Sequence, residues 1–122
     1  MDKDRFQKQL DFIVEIDRLK TVLRQSAIID QSKRENSAEH SWHIAIMGTI
    51  LYEYCDTDKV DLARAVKMAL IHDIVEVYAG DTFAFDIEGY KDKQKREKEA
   101  ADKIFGMLPE NQGTELRELW EE

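Results

Sequence analysis

Apolar residues recur at three- and four-residue steps through most of this 122-residue chain, and that spacing restricts its folding more than any other feature. Phe6, Leu10, Ile13, Ile16, Leu19 and Leu23 follow the period that lines up side chains on one face of an α-helix, whereas a strand would need strict alternation. The spacing predicts a first helix over 4–24. The stretch QSAIIDQSKREN then interrupts the pattern with polar and β-branched residues and is expected to be a connecting loop. A second helix is expected from about 38 to 55. Ser37 is the candidate N-cap, because its hydroxyl can accept from an amide left unpaired in the first turn, and Glu39 suits the positive end of the helix dipole.

DTDKVD offers several caps ahead of LARAVKMALIHDIVEVY, a third helix stopped by Gly80, with a break available at its His-Asp pair. The run YKDKQKREKEAADKIFGML is charged on most faces but keeps Ala100, Ile104 and Leu108 at four-residue steps, as a solvated helix with one docking stripe would. Pro109 and Gly113 set off a last short helix, TELRELWEE. Its stripe of Leu116, Leu119 and Trp120 has nothing after it in the sequence to pack against. No segment alternates well enough to demand a sheet, and there is no internal repeat. The expected architecture is an all-α helical bundle.

Charge narrows the choice of partner. Lys and Arg number 18 against 26 Asp and Glu, a formal net charge of -8. Long-range attraction to a polymeric nucleic acid or an anionic membrane is therefore disfavoured, while a small anion can still bind locally. The single cysteine, Cys55, has no partner for an internal disulfide and reads as a small buried or half-buried side chain. MDKDRFQKQLD is too charged for a secretory signal, and SWHIAIMGTIL is too short and polar to cross a bilayer. A soluble, intracellular, cytoplasmic protein is expected.

The chemistry concentrates in ALIHDIVEVYAGD. On an ideal helix the side chains of His72 and Asp73 diverge by about 100°. They can still converge on an ion just beyond the helix surface, and imidazole nitrogen with carboxylate oxygen suits first-row divalent metals. Alone, such a dipeptide is as well read as a capped turn or a surface hydrogen bond. Further donors strengthen the metal reading. His40 lies one helix earlier, near an N-terminus, and facing helices are how bundles build internal metal sites. Glu76, three residues after Asp73, shares its face, and Asp81 follows. Burying these like charges without a counter-ion costs several kcal/mol per ion on the order expected for desolvated charges. A divalent cation resolves the conflict.

ENSAEHSWH followed by LIHDIVEVYAGD resembles the HD-domain phosphohydrolases and, within them, the 5′-deoxynucleotidase branch, whose hallmark is H…HD…D with an HD-x-x-E-x-x-x-x-D extension. The likeness covers about residues 20–90. It implies that His40, His72 and Asp73 are metal ligands, and that Glu76 and Asp81 act on water and leaving group or hold a second ion. It also implies that Arg24 binds phosphate; by itself Arg24 reads rather as closing helix one through its last carbonyls. The implied reaction is hydrolysis of a deoxyribonucleoside 5′-monophosphate. Its cofactor would be a divalent metal ion, with manganese, cobalt or magnesium favoured over zinc, nickel or iron, and the assembly a homodimer. The alternatives are another HD-type nucleotide phosphohydrolase and a non-catalytic metal-binding helical module.

The family's fourth ligand, an aspartate on a later helix, has no counterpart among the acids after Asp86. The expectation is therefore one HD domain over 1–122, truncated at its C-terminus and lacking its last helices. His43, Trp42 and Tyr54 are expected to line the pocket or fill the core, and Lys33 and Arg34 to add positive potential near an anion or to be solvated.

Overall fold

The computed structural model describes residues 2–79 and 87–122. Helices α1 (Lys3–Ile16), α2 (Ser37–Leu51), α3 (Leu62–Ile71), α4 (Glu76–Ala79), α5 (Ile87–Phe105) and α6 (Glu110–Glu121) make up most of it. The helical-bundle expectation holds, with one addition. β1 (Leu23–Ala27) and β2 (Arg34–Asn36) pair antiparallel in a small hairpin. No alternation marks these strands in the sequence, because both are short and neither has an apolar face to bury.

The first helix is shorter than its periodicity suggests. Asp2 caps α1 by accepting from the Arg5 amide, and the helix ends at Ile16, after which Asp17–Thr21 tightens into a 3-10 turn. That turn preserves the apolar spacing and keeps Leu19 buried, so the sequence pattern runs on after the α-helix has stopped. Arg24 consequently lies in β1 and does not close a helix.

At the hairpin's far end the chain reverses through Ile28–Lys33, where Gln31 adopts a left-handed conformation (φ 63°) and Asp30 accepts from the Ser32 amide. The near end passes straight into α2. Its N-cap is Asn36, one residue before the one expected. Asn36 accepts from the Glu39 amide at 2.8 Å and Glu39 accepts from the Asn36 amide at 3.0 Å, a reciprocal capping box. The Asn36 amide, reinforced by Lys33, holds the Glu39 carboxyl below its ordinary range.

The core lies where α5 meets the turn after α3. Ala100, Ala101, Ile104 and Phe105 of α5 pack with Phe12, Ile74, Val75 and Leu108. Leu116 and Trp120 of α6 join this cluster, Leu119 is buried, and the Trp120 ring tilts against Phe105 at 6.2 Å. The last apolar stripe, Leu116, Leu119 and Trp120, is thus packed within the chain. α2 behaves differently. Of its residues only Ser37, Ser41 and Ala45 are buried, and the helix packs on α3 and the 3-10 turn. Trp42 and Tyr54, expected in the core, are exposed, as are Met47, Ile50 and Cys55.

The third helix breaks as anticipated at the His-Asp pair. α3 stops at Ile71, His72–Val75 form a turn, and α4 resumes at Glu76. Among the described residues no helix is long and apolar enough to cross a membrane.

Candidate functional site

The segment HDIVE shows how polar chemistry can sit in the middle of a core. Ile74 and Val75 are driven into the hydrophobic cluster, with Val75 only 1% exposed. Burying two aliphatic side chains contributes about 1.5–3 kcal/mol each and anchors the turn. Leaving the helix at Ile71 frees His72 and Asp73 from helical spacing, so Asp73 presents its carboxylate to His72 on one side and Arg24 on the other.

Five side chains from four elements meet here. His72 Nε2 stands 3.0 Å from Asp73 Oδ1, and its Nδ1 lies 3.2 Å from the Ala69 carbonyl. The His40 ring of α2 faces that of His72 with centroids 6.4 Å apart and planes tilted by 53°. His40 Nδ1 is 3.0 Å from Glu35 Oε1 in β2, and the same oxygen lies 3.3 Å from Arg24 Nε. Arg24 Nη1 is 3.8 Å from Asp73 Oδ2. Beside them Glu76, at the start of α4, accepts from the Ser37 hydroxyl at 2.6 Å, and both residues are buried.

The predicted residues His40, His72, Asp73, Glu76 and Arg24 are therefore neighbours across β1, α2 and the α3–α4 turn. Asp81 lies outside the described residues. His43 stacks with exposed Trp42, so it does not join the imidazole pair. Lys33 is engaged with Glu39, and Arg34 donates to the Arg24 carbonyl, so neither reaches into the site. Two participants escaped the sequence reading. Ser37, taken for a cap, instead holds Glu76. Glu35 falls in a stretch that reads as loop, although the N-x-x-E spacing of Asn36 and Glu39 marks the helix start and places Glu35 immediately before it.

Two features of this arrangement fit a cation. Asp73 Oδ2 and Arg24 Nε are buried atoms with no hydrogen-bond partner among the described residues, so Arg24 is held by charge with donors unspent. An unmet carboxylate oxygen and an unspent guanidinium in one pocket suit a metal and an anion respectively. The second feature is the tautomer of His72. If Nδ1 donates to Ala69, a neutral ring turns a bare Nε2 toward a carboxylate oxygen, which is repulsive unless a proton or cation lies between them. The 3.0 Å separation matches the roughly 3.0 Å between two donors held at right angles about 2.1 Å from one ion. Among the described residues, no three His, Cys, Asp or Glu side chains are drawn into a closed ligand set, and the donors approach in pairs. The carboxylates of Glu35 and Asp73 flank Arg24 and that of Glu76 is buried on Ser37, a concentration of acidic groups that a divalent ion would offset.

Comparison with known proteins gives the same picture. The human 5′-deoxynucleotidase HDDC2 is 33% identical over 114 residues, covering 93% of this chain and 54% of that protein, and the Xenopus laevis protein is 32% identical over the same length. The chain thus spans about half the length of the curated relatives it matches. A crystal structure of a predicted metal-dependent phosphohydrolase from Magnetospirillum magnetotacticum superimposes with a TM-score of 0.88 at 52% identity, over 97% of this chain and 59% of that one. The family model for the HD domain matches residues 16–122, and the chain belongs to the HD-domain family.

Proposed function

We propose that this chain carries the catalytic face of a metal-dependent phosphohydrolase that converts deoxyribonucleoside 5′-monophosphates to nucleoside and phosphate. The observation that carries the reading is the juxtaposition of a charge-held Arg24, with donors unspent, and the His72–Asp73 pair. His40, His72 and Asp73 would hold a divalent ion. When bound, such an ion makes its water acidic enough to supply a nucleophile near neutral pH and draws off phosphoryl charge. Arg24 presents a planar fork of donors that suits two oxygens of a phosphate, and its present ion pairs are loose enough to exchange for them. Glu76, fixed by Ser37, is placed to orient or deprotonate the attacking water. The names of the relatives, 5′-deoxynucleotidase HDDC2, support the monophosphate and the deoxyribose. Among the described residues, few cations stand around the site to meet the added charge of a triphosphate.

The test is phosphate release from a panel of ribo- and deoxyribonucleoside 5′-monophosphates and triphosphates, with manganese, cobalt or magnesium added. Release confined to the deoxy monophosphates supports the reading. Equal turnover of triphosphates, or turnover unchanged by a chelator, overturns it.

A further inference from the structure

Glu35 is the point at which the two halves of the site join. One oxygen, Oε1, approaches both His40 Nδ1 at 3.0 Å and Arg24 Nε at 3.3 Å, and the side chain is only 12% exposed. Its placement is a product of the local fold. Glu35 precedes the Asn36 N-cap, so the capping box that fixes the start of α2 also fixes the backbone from which Glu35 projects. The hairpin aligns Leu23 with Asn36 and so brings Arg24 alongside. His40 lies in the first turn of the same helix, within reach of the strand that leads into it.

Both contacts are close approaches of charge rather than hydrogen bonds of good geometry, and they act on different groups. A neutral imidazole beside a carboxylate places its proton on the nitrogen that faces it, here Nδ1, and leaves Nε2 as a bare lone pair. The contact with Arg24 lacks hydrogen-bond geometry, since Arg24 Nε is without a hydrogen-bond partner. It is an attraction that aims the guanidinium without using up its donors. We infer that Glu35 is a positioning residue that holds His40 in the Nδ1–H tautomer, leaving Nε2 to bind the ion, while it steers Arg24 toward the phosphate. The inference rests on the metal-phosphohydrolase reading for its purpose, but its geometry can be tested without turnover.

The experiment uses the 122-residue chain, metal-free, at a pH where imidazole is neutral. Long-range ¹H–¹⁵N correlation spectra report which nitrogen of His40 carries the proton, and wild type is expected to show it on Nδ1. A proton on Nε2 overturns the inference with no variant needed. In E35A the tautomer is expected to shift toward Nε2–H, and manganese affinity, followed by electron paramagnetic resonance, to fall about 10–100-fold. In E35Q the amide carbonyl can still accept from Nδ1–H but carries no charge. Tautomer and manganese affinity should then stay close to wild type, while KM for a deoxyribonucleoside monophosphate rises several-fold with little change in kcat. K33A, which breaks the adjacent Lys33–Glu39 pair, should alter none of these readouts. An unchanged tautomer and manganese affinity in E35A overturns the proposal. Absence of hydrolysis by wild type, with the tautomer and manganese results as expected, counts against the enzymatic reading and leaves Glu35's role standing.

Discussion

The Ser37 hydroxyl donates to Glu76 Oε2 at 2.6 Å in the interior, tying the first residue of α2 to the first residue of α4 across 39 positions of sequence. Both groups are buried, so neither has water to fall back on if the other is removed. A hydrogen bond to a charged group contributes about 1.5–3 kcal/mol, and a carboxylate deprived of it keeps its desolvation cost. Ser37→Ala should therefore lower unfolding free energy by about 1.5–3 kcal/mol in urea denaturation, and it should slow hydrolysis because Glu76 is no longer held. Wild-type stability in this variant would show that Glu76 is satisfied without Ser37.

Much of this site was legible in the sequence, for a physical reason. His72, Asp73 and Glu76 lie within five residues, and polar groups in an otherwise apolar run must be paired or functional wherever they end up. Helix existence was equally legible from Leu10, Ile13, Ala100 and Ile104 and their spacing. What stayed hidden depends on tertiary pairing. Leu19 continued a helical pattern through a 3-10 turn. Arg24 and Glu35 sit on strands too short to carry an alternating signature. Trp42 on α2 and Tyr54 in the 3-10 turn that follows it are large aromatics, and no local rule tells which side of the helix is left open.

Asp73 separates the metal reading from a purely structural one. A ligand that binds only the folded state stabilises it by about 2.7 kcal/mol at a concentration one hundred times its Kd. Wild type should gain thermal stability on this scale with added manganese. Asp73→Ala should show no gain and no stoichiometric metal by elemental analysis, with its helical circular dichroism largely retained. Retained metal would place the ion elsewhere.

Gly113 looks like a boundary marker in the sequence but lies inside α6, where a Cβ would come within 2.5 Å of the Phe105 carbonyl oxygen. Helix propensity favours alanine over glycine there by about 1 kcal/mol. The clash is with backbone, which cannot swing aside as a side chain could. Gly113→Ala should be net destabilising by about 1–3 kcal/mol, the range for overpacking, as read by the denaturation midpoint. A rise in stability would mean that α6 can slide away from α5 at little cost.

Ser41, one turn after Ser37, carries a buried hydroxyl with no hydrogen-bond partner among the described residues. An unmet buried polar group costs about 1–3 kcal/mol. Ser41→Ala removes the hydroxyl and leaves a side chain of nearly the same shape. It should raise the unfolding free energy by about 1 kcal/mol, within that cost. A loss of stability would reveal a partner for the hydroxyl, such as an ordered water.

Glu15 and Tyr78 should shape opposite flanks of the stability profile. The Arg18 guanidinium bonded to Glu15 at 2.6 Å holds that carboxyl below its ordinary value of 4.5. A depressed carboxyl contributes stability above its unfolded pKa and loses it as pH falls through the folded one, so Glu15 acts on the acid flank. Because its carboxylate is exposed, the effect should be small. Tyr78 runs the other way. Burial, reinforced by the Glu15 carboxylate, pushes its phenol above 10.0. The neutral phenol is the form the fold favours, so its contribution is complete below 10.0 and is lost as pH rises through the folded pKa. The Lys103 ammonium, 4.0 Å from the ring centroid, is unaffected by removing the hydroxyl alone. Tyr78→Phe should therefore make the limb of the Tm-versus-pH curve above pH 10 less steep than in wild type. Parallel alkaline limbs in the two proteins would mean that the phenol ionises equally well folded and unfolded, and that burial at this position does not oppose its charge.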